Sequence, residues 1–297
     1  MQFAQALVNG FGQGAIYALL ALGFVMIYKA TRVISFAQPA LMVMGGLVTY
    51  HFTRVFEMPF FIGLLFGILG GAIVGLIVER LALRPMVGKP VFVLAIITIG
   101  VDIVLRIISN RYIGVHSRIV EYPNGSERVS VAGVSISQKT LGLIAITAVV
   151  LLALALFFHY SRMGLAMRAT ALDQETALAQ GIKVGMMFAM AWAIAGGLAA
   201  IAGTFVAAGA AGMEQTSWVI ALKALPAIII GGLDSLPGAV IGGLSVGIVE
   251  ALTATYQPSV APWLGANFAL VAPYALMFLV LLVRPYGLFG TKEVERV

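Results

Sequence analysis

The sequence predicts an all-α polytopic membrane protein of roughly 8–10 transmembrane helices, some of them short or broken. Three observations predict it. Of 297 residues, 61% are hydrophobic and 10% are charged, whereas about a quarter of an ordinary soluble domain is charged. Mean hydropathy is +1.04, and several apolar runs reach the ~20 residues a helix needs to cross a bilayer. The 34 glycines suit a bundle whose backbones approach closely, since lipid supplies no hydrophobic drive between spans.

Taken in order, hydropathy places spans near 4–28, 37–56, 60–79, 91–109, 140–159, 185–208, 217–232, 236–256 and 264–283. The opening stretch lacks the basic region of a cleavable signal, its first positive side chain being Lys29, and is expected to stay as a span. Around 37–56 and 217–240, proline and glycine interrupt short apolar runs, so re-entrant or unwound helices are expected there. All of 1–297 reads as a single transmembrane domain. Its longest connection, about 109–138, holds Tyr122-Pro-Asn-Gly-Ser126 before the alternating run Arg128–Ile136. Asn-Gly beside such a run predicts a small β-hairpin, a lid or inert decoration.

Basic residues choose the orientation. With the N-terminus outside, one set of loops carries Lys29, Arg32, Arg80, Arg84, Lys89, Arg162, Arg168, Lys183, Arg284, Lys292 and Arg296, eleven of the 18 cations. Short basic loops stay cytoplasmic. The N-terminus is therefore expected in the periplasm, the C-terminus and the 168–183 connection in the cytosol, and 109–138 outside. The net charge of +6 follows from these loops and is no nucleic-acid footprint.

The connection Arg168–Lys183 is an island of polar and small residues between two apolar spans. Its Ala, Leu, Gln and Glu favour a short helix, and Gly181 is a natural C-terminal stop. Arg168, Asp173, Glu175 and Lys183 keep it out of lipid, and its alanines let another surface approach. A docking element and an ordinary solvated loop helix are both compatible with that pattern.

Enzymatic constellations are missing, and no catalytic residue is assigned. His51, His116 and His159 lack metal-ligand spacing, no phosphate loop occurs, and the absence of cysteine rules out thiolate sites. No cofactor or metal is expected. Charges inside spans are few and need partners. Asp102 and Arg106, four apart, predict a mutual pair. Lys223 precedes the Pro226 break and faces either a cavity or carbonyls freed there; Glu250 snorkels or meets a neighbour. Asn9, Gln13 and Tyr17 recur at four-residue steps on one face and, with Ser35 and Gln38, form a polar cluster. As a stripe they suit a solute pathway; singly, each suits interhelical hydrogen bonding. Gly71-x-x-x-Gly75 and Gly238-x-x-x-Gly242 are close-packing signals. Finally, 37–47 resembles 224–233, and the two stretches are expected to run in opposite directions, as in transporters with inverted broken helices.

Several ordered motifs together resemble one family. Glu175-Thr176-Ala177-Leu-Ala-Gln-Gly181 is similar to the Glu-Ala-Ala-x-x-x-Gly core of ABC-importer permeases, with Thr176 at the second position. Asn9-Gly10 with Gly14–Gly23, Ile34–Gln38, Glu79–Pro85, Leu222–Ala224, Gly231–Ala239 and Arg284–Gly290 resemble the branched-chain amino-acid type of these permeases. The resemblance covers essentially the whole chain. It implies a bacterial inner-membrane permease subunit working with a second related permease chain, expected as a heterodimer. Two cytosolic ATP-binding subunits and a periplasmic solute-binding protein would complete the set. Arg168, Asp173, Glu175, Thr176, Ala177 and Gly181 would then couple to the ATPase, while Asn9, Gln13, Tyr17, Gln38 and Lys223 would line the pathway. Branched-chain amino acids are the implied solute, with urea, short amides and aromatic acids also carried by relatives. A stand-alone ion-coupled transporter is the alternative from another class.

Overall fold

The computed structural model describes residues 2–86, 89–125, 127–131, 133–265 and 267–291. In chain order the helices begin with α1 (Gln2–Thr31), α2 (Gln38–Tyr50), α3 (Phe60–Val78) and α4 (Val91–Ile113). Strands β1 (Arg128–Val131) and β2 (Val134–Ser137) lead into α5 (Gln138–Tyr160), α6 (Arg162–Leu172), α7 (Gln174–Ala179) and α8 (Val184–Ala207). The chain closes with α9 (Trp218–Leu222), α10 (Ala224–Gly231), α11 (Leu236–Val260) and α12 (Ala272–Val283). Among the described residues, six helices are long and apolar enough to cross a membrane. With α2, the α9–α10 pair and α12 they make nine apolar segments, at the places hydropathy marks. The protein is an all-α polytopic membrane protein.

Helix α1 is the axis of the bundle. Its apolar window is 83% buried, against 11% for α5 at the rim. Leu19, Leu20, Phe24 and Ile27 pack with Leu41 and Met42 of α2 and Trp192 of α8. Glycine sets how near the axes come. A Cβ on Gly14 would lie 2.8 Å from the Leu244 Cα of α11, and one on Gly10 would lie 2.8 Å from Ile248 Cα. The two predicted close-packing pairs occupy such crossings. Gly71 and Gly75 of α3 face Gly196 and Trp192 of α8, and Gly238 and Gly242 of α11 face Gly231 and Ala227 of α10.

These crossings also give direction. Helix α1 runs antiparallel to α11 and to α8, Gly23 lying by Ala195 and Ala30 in one cluster with Met187. Helix α2 runs along α8, from Gln38 beside Ala195 to Thr49 beside Thr204. Helix α10 opposes α11. So α2 and α10, the two similar stretches, point in opposite directions as expected.

The two ends of the bundle differ. One gathers Arg32, Arg84, Arg168, Lys29 and Asp234 around α6 and α7. The other holds Tyr122, the Arg54–Glu121 ion pair and the hairpin. The basic loops thus share one end, while Lys292 and Arg296 lie outside the described residues.

Three expectations need correction. The 168–183 island is not one helix: α6 runs to Leu172, the chain turns extended at Asp173 (φ −151°, ψ 114°), and α7 starts afresh. The Asp173 carboxylate captures the amides ahead of it, and that local bond outweighs the helix propensity around it. The hairpin turn is not Asn124-Gly125. Val131 pairs with Val134, so the strands join after Val131, with Gly133 left-handed at φ 79°. Asn124-Gly125 instead closes its own turn, with Gly125 N–H donating to the Tyr122 carbonyl at 2.9 Å; Ser126 and Ala132 lie outside the described residues. The last segment, read as a continuous span, holds a 3₁₀ turn at Phe268–Leu270 before the 12-residue α12. In this chain alone Asn9 and Gln13 are exposed and Tyr17 is buried; α11 crosses at the neighbouring positions Gly10 and Gly14.

Candidate functional site

Two groupings of polar residues stand out, one at the basic end and one inside the bundle. At the basic end, Asp173 caps α7. Its carboxylate accepts from the amides of Glu175 (2.9 Å) and Thr176 (3.1 Å) and from the Thr176 hydroxyl (2.6 Å). Those hydrogen bonds, the Thr176 hydroxyl foremost, hold the Asp173 carboxyl below the usual carboxylate range. Gly181, left-handed at φ 80°, ends the element, and its amide returns to the Leu178 carbonyl at 2.9 Å. Ala177 faces the bundle, packed in a cluster with Met26, Ala30 and Met187. Gln174 Nε2 donates to the Ala30 carbonyl at 3.1 Å and Arg32 donates to the Ala171 carbonyl at 3.1 Å, so both helices hang from the end of α1.

The outward side of this element is apolar where water would favour charge. Leu172 is 84% exposed and Leu178 57% exposed, with Glu175 and Thr176 exposed between them. Exposed apolar side chains grouped beside polar ones mark contact surfaces. Arg168 stands beside them on α6 and lines a cleft of about 420 Å³ with Lys29, Asp234 and Phe289.

Inside the bundle, Lys223 sits in the break between α9 and α10. Its Nζ pairs with Glu250 Oε1 of α11 at 2.5 Å, and Tyr17 Oη donates to the other Glu250 oxygen at 2.6 Å. The Lys223 side chain therefore meets a carboxylate rather than freed carbonyls, and Glu250 does not snorkel. Asp102 pairs with Arg106 at 2.7 Å as spacing predicts, and the Arg106 guanidinium also lies 4.2 Å from the Trp218 ring centre on α9. At the start of α2, Gln38 Nε2 donates to the Ala195 carbonyl at 3.3 Å. Its Oε1 is buried with no partner among the described residues. Thr98 of α4 accepts the Phe36 amide at 3.0 Å.

So the structure joins Tyr17 with Lys223, keeps Gln38 apart against α8, and leaves Asn9 and Gln13 on the surface. Glu250, the hub of the inner cluster, meets a neighbour, the second of the two roles its sequence position allowed. No triad of His, Cys, Asp or Glu suited to a metal occurs among the described residues.

The family model described as branched-chain amino acid transport system / permease component matches residues 6–281. The chain belongs to this family. Among curated members of this permease family, it is 33% identical to the high-affinity branched-chain amino acid transport system permease protein LivH of Escherichia coli K12. That match covers 100% of this chain and 98% of the relative. It is 30% identical to BraD of Pseudomonas aeruginosa, covering 99% of this chain and 98% of the relative. Two solved structures share the fold. PsaBC from Streptococcus pneumoniae aligns with a TM-score of 0.51 at 16% identity over 94% of this chain and 91% of its own. An inward-facing metal-chelate type ABC transporter aligns with a TM-score of 0.52 at 15% identity over 94% and 87%. At such identities these structures carry the fold alone.

Two further buried groups were not singled out from sequence. Glu79, 2% exposed, appeared only as part of a loop motif; the helix continues past it through a wide turn, Glu79–Leu83, so the carboxylate turns inward. Trp192, 1% exposed, carries an indole N–H with no partner among the described residues. An acidic residue closing an apolar run just ahead of Arg80 and Arg84 was the available signal.

Proposed function

We propose that this chain is the transmembrane permease subunit of a bacterial inner-membrane ABC importer. It passes branched-chain amino acids that a periplasmic binding protein delivers, and two cytosolic ATP-binding subunits drive it. A second, related permease chain completes the membrane part as a heterodimer. The basic end lies in the cytosol, the N-terminus in the periplasm. The substrate class follows the names of its relatives.

One observation carries the mechanical part: the outward Leu172 and Leu178 on an element tied to α1 through Gln174 and Arg32. A partner that closes on ATP presses on α7, and the two tethers pass the displacement to α1. Gly181 and the Asp173 cap keep α7 a rigid lever. Arg168 and Glu175 supply the polar rim of the contact, while Ala177 seats the helix on the bundle. Closely packed helices slide as units; the crossings at Gly14, Gly71 and Gly242 let them do so without side chains in the way.

Reconstitution tests this reading. Proteoliposomes holding the full assembly and the binding protein should accumulate leucine only with ATP. Leu178→Asp should reduce uptake at least about tenfold, the loss of roughly 1.4 kcal/mol of docking energy, with the assembly's membrane content unchanged. Uptake by this chain alone under an ion gradient would overturn the proposal in favour of a secondary transporter.

A further inference from the structure

On the rim of the bundle an apolar groove of about 400 Å³ runs between α1, α5 and α11. Leu22, Leu151, Leu154, Phe158, Val240 and Ile241 line it, and the rest of its wall is apolar too. Apolar side chains alone are expected on α5, whose window is only 11% buried. This groove differs in being concave and in where it leads. At the basic end it meets a recess of about 80 Å³ that shares Phe158 and Leu236 with it. The recess shares Lys29 and Arg168 with the 420 Å³ cleft beyond, and Leu236 and Pro237 line both groove and cleft. By the helical rise, Leu22 lies about 10 Å along α1 from Lys29. One continuous trough therefore runs from an apolar depth to a polar end.

That polar end is cationic. Half-buried Lys29 and exposed Arg32 and Arg168 all line the cleft. Among the described residues none of the three pairs with a carboxylate. Lys29 Nζ donates to the Asp234 carbonyl at 2.9 Å and Arg32 to the Ala171 carbonyl at 3.1 Å. The Asp234 carboxylate accepts from the Thr291 hydroxyl, and from the Thr291 amide at 3.3 Å. The first turn of α11 opens on the same cleft, and its dipole favours an anion.

We propose that this trough holds one anionic phospholipid, with its phosphate on Lys29, Arg32 and Arg168 and an acyl chain in the groove. Basic pockets between spans suit anionic headgroups. A soluble anion leaves the groove empty, and a zwitterionic lipid brings its ammonium among three cations. The site goes beyond the transport reading and holds for any solute. Its headgroup bridges α1, α6 and the start of α11, and so braces the helix that carries α7.

Native mass spectrometry of the complete assembly tests the site, with titration in micelles by dioleoyl phosphatidylglycerol or dioleoyl phosphatidylcholine. The most tightly held phosphatidylglycerol should exceed phosphatidylcholine in affinity by at least about fivefold, the worth of roughly 1 kcal/mol for one cation near an anionic headgroup. Lys29→Gln should remove about that factor from phosphatidylglycerol and leave phosphatidylcholine unchanged. Misfolding cannot produce so selective a loss. Ala155→Trp, at an exposed position in the groove wall, keeps every cation and fills the groove. It should weaken both lipids by about fivefold or more. Equal affinity for the two lipids, an unchanged preference in Lys29→Gln, or unchanged binding in Ala155→Trp overturns the site. Displacement of the lipid by glycerophosphate also overturns it, in favour of a soluble-anion cleft. Loss of the second permease chain in Ala155→Trp would overturn it by placing that chain in the groove.

Discussion

The chain interrupts its helices inside the bundle at two places, and it repairs them differently. At the start of α2 the groups are uncharged: Thr98 accepts the Phe36 amide, and Gln38 reaches the Ala195 carbonyl. Between α9 and α10 the repair is ionic: Lys223 pairs with Glu250, which Tyr17 also binds. At the first break side chains take up backbone groups, which find no water in lipid; at the second the Lys223 amide bonds the Ile220 carbonyl at 3.2 Å, and the side chains pair with each other. The ionic repair spans three elements that approach from different directions, so it fixes their mutual position. The uncharged repair ties α2 to α4 and α8 with bonds that can be exchanged more cheaply. The comparison identifies the Lys223 break as the fixed point and the α2 start as the adjustable one.

Breaking the ionic repair should have the largest effect. Lys223→Met leaves Glu250 buried with only Tyr17, and loss of one partner of a buried pair costs about 3–5 kcal/mol. The midpoint of denaturant unfolding in mixed micelles should fall accordingly. Adding Glu250→Leu should recover most of that loss, since an apolar replacement of both partners is close to neutral. Should the double variant be as unstable as the single one, Lys223 has a role besides neutralising Glu250.

The uncharged repair should respond less. Thr98→Val strands the half-buried Phe36 amide and should cost about 1 kcal/mol, the net worth of one such hydrogen bond. Gln38→Met is the sharper test. Gln38 makes one long bond and holds an unpartnered oxygen, so a replacement of similar shape should change stability by no more than about 1 kcal/mol. If uptake nevertheless falls while unfolding is unchanged, Gln38 meets the solute and its idle oxygen is the contact.

This contrast also explains what the sequence made legible. Fold class, nine apolar segments and the two interrupted ones follow from hydropathy plus Pro39, Pro226 and neighbouring glycines, because lipid leaves few other options. The Asp102–Arg106 pair was legible, being four residues apart on one helix. Lys223 and Glu250 are 27 positions apart, and Tyr17 lies 233 positions from Glu250; no local pattern links them. The burial along Asn9, Gln13 and Tyr17 was not legible for the same reason. Helical spacing gives the shared face, yet which part of that face is covered depends on where α11 crosses. Glu79 looked like a loop residue because hydropathy ends there, while the backbone continues in a wide turn that carries it inward.

A third interruption, at Asp173, lies at the polar end and should give the smallest effect on stability and a distinct effect on coupling. Here water competes for every group, so Asp173→Ala should leave the unfolding midpoint nearly unchanged. It should, however, speed hydrogen exchange at the Glu175 and Thr176 amides, which lose their acceptor. Leucine-stimulated ATP turnover should fall, because a frayed α7 transmits less of the partner's push. The sign of the pH dependence follows from the depressed carboxyl. The folded form holds its proton less tightly than the unfolded one, so the cap is fully present above the ordinary aspartate value of about 3.9. It is lost only as pH drops through the lower folded value. Carbon-detected titration of the Asp173 carboxyl in labelled protein should show this shift, and Thr176→Val should move it back upward by removing its largest cause. Asp173→Ser, which caps without a charge, should keep the slow amides and abolish their acid dependence. Fast exchange in that variant would mean the charge at Asp173, rather than its hydrogen bonds, holds α7 in place.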